Sequence, residues 1–208
     1  MILHDYRPSQ NGWKVRVLMG LLGLDYRIEP VAIFSGESRT EAFLGKNPVG
    51  AIPALELEDE RTIAESNAIL VYLARGTRYL PEERFLHAKT MQWLFFEQYY
   101  VEPTIGTLRY WTLTGRLQRN AGLPVESRRQ NAERALGALE RSLRNAAFLV
   151  GEDFTIADIA VYAYGHLAED CGFSFREYPS VKRWLGHCAD RLEPNYPVEP
   201  YGPEARAD

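Results

Sequence analysis

The sequence predicts a chain of two domains, a small α/β domain followed by an all-helical domain. Over residues 1–76, short apolar runs with strand spacing alternate with segments of helical spacing, whereas residues 85–193 show helical spacing alone. Residues 77–84 carry a proline and several charges, and they form the predicted linker. Residues 194–208 contain four prolines and few large aliphatic side chains, so we predict an extended or frayed tail.

The first domain begins with a strand, a helix and a second strand, an order that predicts a right-handed crossover between parallel strands. Two further short apolar segments flank a polar turn and predict a hairpin. A helix follows, with Gly76 as its end. The predicted elements of this domain cover residues 2–4, 17–22, 26–31, 55–57, 62–64 and 66–75.

The second domain is predicted to contain four helices because apolar side chains recur there at a helical period. Pro103 lies inside the first of them and is expected to bend it. The predicted helices cover residues 87–114, 125–145, 155–167 and 180–192.

Composition excludes several function classes. Lys and Arg number 24 against 28 Asp and Glu, and a net charge of -4 is too acidic and too evenly mixed to grip nucleic-acid phosphates. Two cysteines, Cys171 and Cys188, and four scattered histidines match neither a disulfide scaffold nor a metal site. The chain has no basic leader with an apolar run and no stretch of about 18 apolar residues. We therefore expect a soluble cytoplasmic protein without a metal or a membrane partner.

Loop 8–12 joins the first strand to the first helix and contains a hydroxyl, on Ser9, and an amide, on Asn11. Backbone N–H groups and the positive end of the helix dipole favour an anion at such a place. The alternative is that one of the two side chains only caps the helix. No histidine or acid is paired with Ser9 as a base, which argues against a serine hydrolase.

Loop 47–55 contains a proline directly ahead of a strand, which makes Ile52-Pro53 a candidate cis peptide. A cis bond would leave the Ile52 backbone groups unpaired and facing outward, where a peptide could add its main chain as a strand does. The alternative is an ordinary trans turn.

Glu65 and Ser66 stand at the start of a predicted helix. Ser66 can offer its backbone N–H and its hydroxyl to a carboxylate, and Glu65 can accept from an ammonium group. Together they match the two charged ends of an amino acid. The alternative is again a helix cap.

In order and spacing, these segments resemble the glutathione transferase family over nearly the whole chain. Asn47-Pro48-x-Gly50-x-Ile52-Pro53-Ala54-Leu55 and Glu65-Ser66-x-Ala68-Ile69 are similar to its glutathione motifs, and loop 8–12 resembles that of the bacterial nu class. Thr155 and Asp158 resemble the family's buried capping box, a structural motif. The resemblance implies a thioredoxin-like first domain, a helical-bundle second domain and a homodimer.

The resemblance also implies roles for single residues. The main chain of Ile52, ahead of cis-Pro53, would pair with the cysteinyl unit of glutathione, the co-substrate, and Glu65 and Ser66 would hold its γ-glutamyl end. The thiol would lie over Ser9. A free thiol has a pKa of about 8.5, so hydrogen bonds from the Ser9 hydroxyl and the Asn11 amide would act by favouring the thiolate.

Two further assignments concern the first domain. Tyr6 is a reserve catalytic candidate, with half-buried packing as its alternative. Many relatives carry a lysine where this chain has Ala51, so the glycine carboxylate needs another cation, and Arg39 and Lys46 are the candidates.

The second substrate is expected in the helical domain, where aromatic residues crowd the first long helix. Tyr100, Pro103 and Thr104 would close an apolar electrophile pocket, although aromatic stripes more often form core. Arg109 is interpreted as structural, with Glu97 or Glu102 as its partner.

The sequence therefore favours a glutathione transferase that directs the thiolate at a small hydrophobic electrophile. Glutathione-dependent disulfide reduction is the alternative enzyme activity. It would not use a protein thiol, because residues 1–76 contain no cysteine. A non-catalytic regulatory or assembly protein is the alternative outside the enzymes.

Overall fold

The computed structural model describes residues 1–192 and 195–206. The chain forms two compact units, one of Met1–Arg75 with Tyr196–Pro200 and one of Gly76–Asn195 with Tyr201–Asp208. The last residue of the predicted helical domain, 193, and residues 194, 207 and 208 of the predicted tail lie outside the described residues. Within the described residues, no helix has both the length and the apolar character that crossing a bilayer requires.

The first unit is a four-stranded sheet with helices, in the order β2-β1-β3-β4. Strand β1 is parallel to β2, as predicted, and antiparallel to β3, which in turn pairs antiparallel with β4 in the predicted hairpin. This is the thioredoxin-like arrangement that the sequence indicated. The elements are β1 (Ile2–Asp5), α1 (Gln10–Leu21), β2 (Arg27–Pro30), α2 (Glu41–Leu44), β3 (Ala54–Glu56), β4 (Thr62–Ala64) and α3 (Ser66–Ala74).

The core of this unit joins its strands to α1 and α3. Its fully buried side chains come from β1, α1, β3 and α3, namely Leu3, Val15, Met19, Leu55 and Ile69. Each such aliphatic side chain contributes about 1.5–3 kcal/mol relative to an exposed position. The core therefore fixes both helices on the sheet, and with them the loops that lead into the two helices.

Residues 196–200 of the tail pack on the first unit. The indole Nε1 of Trp13 donates to the Tyr196 carbonyl at 3.0 Å, and Arg7 Nη1 pairs with Glu199 Oε1 at 3.2 Å. A side chain at Gly20 would meet the Tyr196 ring, so the glycine lets this ring lie across α1. Farther on, the tail forms a short 3₁₀ turn at Pro203–Ala205, which the extended-tail prediction did not include.

The second unit is helical, and its long first segment differs from the prediction. The predicted single helix over residues 87–114 begins earlier, at Arg84, and changes to π-helical spacing around Pro103. Proline lacks an N–H and crowds the preceding turn, and a wider turn accommodates it. The elements are α4 (Arg84–Phe96), the π-helix (Glu97–Gly106), α5 (Thr107–Leu113), α6 (Leu123–Ser142), α7 (Ile156–Gly165) and α8 (Pro179–Leu192).

The capping box at the start of α7 is confirmed. Thr155 Oγ1 accepts from the Ala157 N–H at 3.2 Å, and Asp158 Oδ2 accepts from the Thr155 N–H at 2.9 Å. The other carboxylate oxygen of Asp158 accepts from the Leu149 N–H and from Trp184 Nε1, both at 2.9 Å. Asp158 is fully buried. One carboxylate thus joins α7 to the preceding loop and to α8.

Residues 31–54 contain short elements that the sequence did not reveal. They are the 3₁₀ turns Ile33–Ser35 and Glu37–Arg39 and the four-residue α2. None is long enough to show a helical period. The first helix was predicted too short: α1 begins at Gln10 instead of residue 17, so residues 10–12 of the predicted loop 8–12 belong to its first turn. The other boundaries shift by a few residues, for example at the ends of α3 (Ala74) and α6 (Ser142).

Candidate functional site

The turn between β1 and α1 holds Ser9 at the start of the helix. The Ser9 N–H donates to the Tyr6 carbonyl at 2.8 Å, which closes the turn. Ser9 Oγ accepts from the Gly12 N–H at 3.4 Å, so Ser9 caps α1, as the simpler interpretation proposed. A cap uses a lone pair of the hydroxyl and leaves its proton as a donor. Capping and donation to an anion are therefore compatible at Ser9.

Asn11 and Ser66 meet, although 55 positions separate them in the sequence. Asn11 lies in the first turn of α1, and Ser66 is the buried first residue of α3. The Ser66 hydroxyl donates to Asn11 Oδ1 at 3.1 Å. Because the oxygen of the carboxamide faces Ser66, its nitrogen is the end of the group that donates elsewhere. This contact brings the first and third predicted segments together.

Glu65 has an uncommon backbone conformation for a residue other than glycine. Its φ is 67° and its ψ is 111°. Such a conformation costs about 1–3 kcal/mol and is concentrated at functional sites. Glu65 stands at the cap position of α3, but its exposed side chain makes no cap hydrogen bond. The interpretation of the Glu65 side chain as a helix cap is therefore wrong. Only the main chain of Glu65 takes part in the helix, because its carbonyl accepts from the Ile69 N–H at 3.0 Å.

The predicted cis peptide between Ile52 and Pro53 is confirmed. Buried Asn47 holds the loop ahead of it: its Nδ2 donates to the Ala51 carbonyl at 2.7 Å, and its Oδ1 accepts from the Val49 N–H at 3.0 Å. Within residues 1–192 and 195–206, the backbone groups of half-buried Ile52 have no hydrogen-bond partner. The loop thus presents the Ile52 main chain as the sequence suggested.

The two cations proposed for the glycine carboxylate occupy different surroundings. Arg39 is exposed and lies against the cis-proline loop, where its Nη1 donates to the Val49 carbonyl at 2.7 Å. Lys46 instead forms an ion pair with Glu56, which also bonds to His4 at 2.9 Å. Hydrogen bonds from Lys46 and then His4 hold the pKa of the Glu56 carboxyl below its usual value. Arg39 therefore remains the candidate beside the loop.

Tyr6, the reserve candidate, is half-buried. Its ring packs edge-on against Phe34, with 5.6 Å between ring centroids. The Tyr6 carbonyl accepts the hydrogen bond that closes the Ser9 turn. The contact with Phe34 matches the packing alternative, and the main chain of Tyr6 helps to shape the turn.

In the helical unit, one of the three residues proposed for an electrophile pocket lines an apolar groove. Tyr100 is 44% exposed and lines an open apolar groove of about 520 Å³. Thr104 is buried, and its hydroxyl donates to the Tyr100 carbonyl and, at 3.3 Å, to the Val101 carbonyl. Neither Pro103 nor Thr104 lines the groove; its walls are formed by Gln92, Phe95, Phe96, Gln98, Tyr99 and Tyr100.

Arg109 is buried, as its structural interpretation requires, but its partner was not foreseen. Its Nε donates to Asp170 Oδ2 at 2.7 Å, a partner in addition to the Glu97 or Glu102 that the sequence suggested. Its guanidinium also lies over the Tyr201 ring, 5.8 Å from the centroid. Asp170 follows α7 by a few residues, and no local pattern links it to Arg109.

Sequence reasoning missed a buried ion pair under the Ser9 turn, between Asp5 and Arg16. The available signal was a charge inside an apolar helical stretch, since Arg16 stands between Val15 and Val17. For metals, no cluster of three or more His, Cys, Asp or Glu suited to an ion occurs in the described part of the chain.

Family models and solved structures agree on what the chain resembles. The model for the glutathione S-transferase N-terminal domain matches residues 8–75, and that for the C-terminal domain matches residues 101–191. A glutathione S-transferase from Pseudomonas fluorescens Pf-5 is 39% identical, with 95% of this chain and 98% of that chain covered and a TM-score of 0.89. A glutathione transferase family member from the same organism, with two glutathione bound, is 29% identical, covers 91% and 88%, and has a TM-score of 0.78.

Two further relatives have names other than glutathione transferase. The disulfide-bond oxidoreductase YfcG of Escherichia coli K12 is 28% identical over 186 residues, 86% of each chain. Elongation factor 1-gamma of Rattus norvegicus is 31% identical over 202 residues, which are 91% of this chain and 44% of that protein. The chain thus spans less than half the length of the elongation factor.

Proposed function

Because the chain belongs to the glutathione S-transferase family, we propose that its first unit binds glutathione, stabilises the thiolate and directs it at an electrophilic small molecule. Ser9 and Asn11 are the thiolate donors in this proposal. The Ile52 main chain, Glu65 and the Ser66 backbone N–H hold the tripeptide, because the Ser66 hydroxyl proton is donated to Asn11. Glutathione bound in a similar solved structure supports this choice of co-substrate.

The observation that carries the proposal is the hydrogen bond from Ser66 to Asn11. It joins the segment proposed for the γ-glutamyl end to the segment proposed for the sulfur. A tripeptide that reaches from one to the other needs both in one surface, and the cis-proline loop belongs to the same unit. The exposed Arg39 beside that loop is the proposed partner of the glycine carboxylate.

The free energy required is modest. Lowering a thiol pKa by two units takes about 2.7 kcal/mol of preference for the charged form. A hydrogen bond to a charged group contributes about 1.5–3 kcal/mol, and a helix N-terminus about 0.3–1 kcal/mol. The Ser9 hydroxyl, the Asn11 amide and the start of α1 together suffice, without a histidine or a metal.

In the proposed reaction, the thiol proton passes to solvent and the thiolate attacks an electrophilic carbon. A C–S bond forms, and the leaving group departs with its electron pair. Ser9 acts as a hydrogen-bond donor throughout and never becomes covalently attached. The second substrate is apolar, and exposed Tyr100 remains its candidate contact.

Substitution of Ser9 tests the mechanism. We expect Ser9→Ala to raise the pH midpoint of the bound-thiolate ultraviolet absorbance while calorimetric binding of glutathione is largely kept. Ser174 provides a matched control, because its hydroxyl also accepts from a backbone N–H at 3.4 Å, as the cap of the 3₁₀ turn Phe175–Glu177 in the helical unit. Ser174→Ala should leave the midpoint unchanged. An unchanged midpoint in Ser9→Ala would remove Ser9 from the mechanism and favour Asn11 or Tyr6.

Disulfide reduction is the second candidate, and the similarity to YfcG favours it. One glutathione thiolate would attack a substrate disulfide, and a second glutathione would release the product as a thiol and leave oxidised glutathione. The two glutathione molecules bound in a family member suit such a sequence. Turnover of hydroxyethyl disulfide, but not of chlorodinitrobenzene, would select this activity over transfer to carbon.

The similarity to elongation factor 1-gamma keeps a non-catalytic role as the third candidate. Calorimetry distinguishes it, because an assembly module has no need to bind glutathione. Absence of glutathione binding by the wild-type protein would select this role over both enzyme activities.

We also propose a homodimer in the cytoplasm, where reduced glutathione is maintained. The helical unit leaves 69% of Phe95 and 75% of Tyr99 exposed, and these are apolar side chains that a second copy could cover. Light scattering should give twice the 23.8 kDa chain mass. A monomer that remains fully active would contradict this part of the proposal.

A further inference from the structure

A buried guanidinium lies under the turn that carries Ser9. Arg16, in the middle of α1, donates through Nη1 to Oδ2 of Asp5, the last residue of β1. Through Nη2, it donates to the Arg7 carbonyl at 2.8 Å. The Asp5 side chain is 0% exposed and that of Arg16 is 10% exposed. The strand end, the turn and the helix are thus joined by one side chain.

The bond from Arg16 to the Arg7 carbonyl lies next to the residue proposed to bind the sulfur. Arg7 lies inside the turn that the Ser9 N–H closes on the Tyr6 carbonyl. A planar guanidinium can hold a carboxylate and a carbonyl at once, whereas an ammonium on a flexible stem has no such fork. Arg16 therefore fixes the turn relative to the first turn of α1, where Asn11 lies.

The ion pair between Asp5 and Arg16 also sets the net charge next to the first turn of α1. A side chain at Gly12 would overlap the Asp5 carboxylate, so this carboxylate lies against the first helical turn. An uncompensated negative charge there would repel a thiolate at the same helix end. The charged and titratable groups near Asp5 are Arg16, Arg7 and the Tyr26 phenol. Burial raises the pKa of the Asp5 carboxyl, and the Arg16 guanidinium opposes that rise.

We propose that Arg16 is a positioning residue for thiolate stabilisation: it holds the Ser9 turn through the Arg7 carbonyl and neutralises Asp5 beneath the first turn of α1. This inference rests on the proposed function. It assigns Asp5 the role of anchoring the guanidinium, and it assigns neither residue a contact with glutathione.

The test separates geometry from charge. Arg16→Lys keeps the positive charge but cannot hold both partners, so the pH midpoint of the bound thiolate should rise by about half to one unit. Asp5→Asn keeps the Arg7 contact and removes a negative charge, so the midpoint should stay or fall. The double variant Asp5→Asn/Arg16→Gln leaves no unpaired buried charge, and its midpoint should rise. Arg27→Lys, in an exposed pair with Glu29, is the control that should change nothing.

The outcomes distinguish the inference from its premise. A wild-type complex without a thiolate band refutes the proposed function itself. If the wild-type complex shows the thiolate band, and Arg16→Lys and the double variant both keep the wild-type pH midpoint, the role of Arg16 is refuted but the proposed function is not. A crystal structure of the wild-type glutathione complex decides even where the variants do not fold. Arg16 bonded to the Arg7 carbonyl, with the sulfur on Ser9, supports the inference, and Arg16 detached from that carbonyl overturns it.

Discussion

The hydrogen bond between Ser66 and Asn11 can be measured without any ligand by a double-mutant cycle. The variants are Asn11→Ala, Ser66→Ala and the double variant, and the quantity is the free energy of unfolding from urea titration followed by circular dichroism. The bond is between neutral groups 3.1 Å apart, one of them half-buried and the other buried. A net hydrogen bond of this kind contributes about 0.5–1.5 kcal/mol.

The two single variants should differ in cost. Ser66→Ala leaves the half-buried Asn11 oxygen, which water can reach, and should cost about 1 kcal/mol. Asn11→Ala leaves the buried Ser66 hydroxyl without this partner and should cost about 1–3 kcal/mol. The double variant should be less destabilised than the sum of the singles, by a coupling energy of about 1 kcal/mol.

A control cycle pairs Asn11→Ala with Thr90→Ala. Thr90 is buried in α4 and donates to the Leu86 carbonyl at 3.0 Å, so it shares no partner with Asn11. That pair should be additive within about 0.3–0.5 kcal/mol. The same additivity in the Asn11 and Ser66 cycle would refute the contact, and with it the observation on which the proposed function depends.

Three other predictions concern stability. Asp158→Ala should lower the free energy of unfolding by several kcal/mol, on the order of 3–5 in a urea titration, because buried donors lose their acceptor. The pKa of Glu56 is lowered in the folded state, so its contribution is complete above its usual value of 4.5 and is lost as the pH falls through the folded value. The stability difference between wild type and Glu56→Gln should therefore vanish in acid, and a difference that persists would contradict this. Gly12→Ala should lower the thermal midpoint because its methyl group would overlap Asp5, whereas Gly186→Ala, in open space on α8, should not lower it.

Local patterns explain why much of the fold was predictable. The strand periods, the hairpin turn and the apolar stripes of α6 and α8 are each contained in a few consecutive residues. The cis bond at Ile52 was readable because proline ahead of a strand restricts the choices. The capping box at Thr155 follows from two residues three positions apart.

The rest depends on contacts between distant positions. The meeting of Asn11 with Ser66 and the pairing of Arg109 with Asp170 join residues 55 and 61 positions apart, and no period marks either pair. The segment around Pro103 widens to π-helical spacing, which residue types alone did not indicate, and the Thr104 hydroxyl bonds back to carbonyls of its own helix. Short helices such as α2 end before a period can repeat.

The tail segment Tyr196–Pro200 has a practical consequence for anyone who expresses only part of this protein. A fragment that stops at residue 76 would lack Tyr196 and Glu199, and it would leave the Trp13 indole without its acceptor. If the two units were exchanged between relatives, residues 196–200 of one parent would have to pack on the first unit of the other. A chimera should therefore take the segment from 196 to 200 from the same parent as its amino-terminal half, although the helical unit separates the two in the sequence.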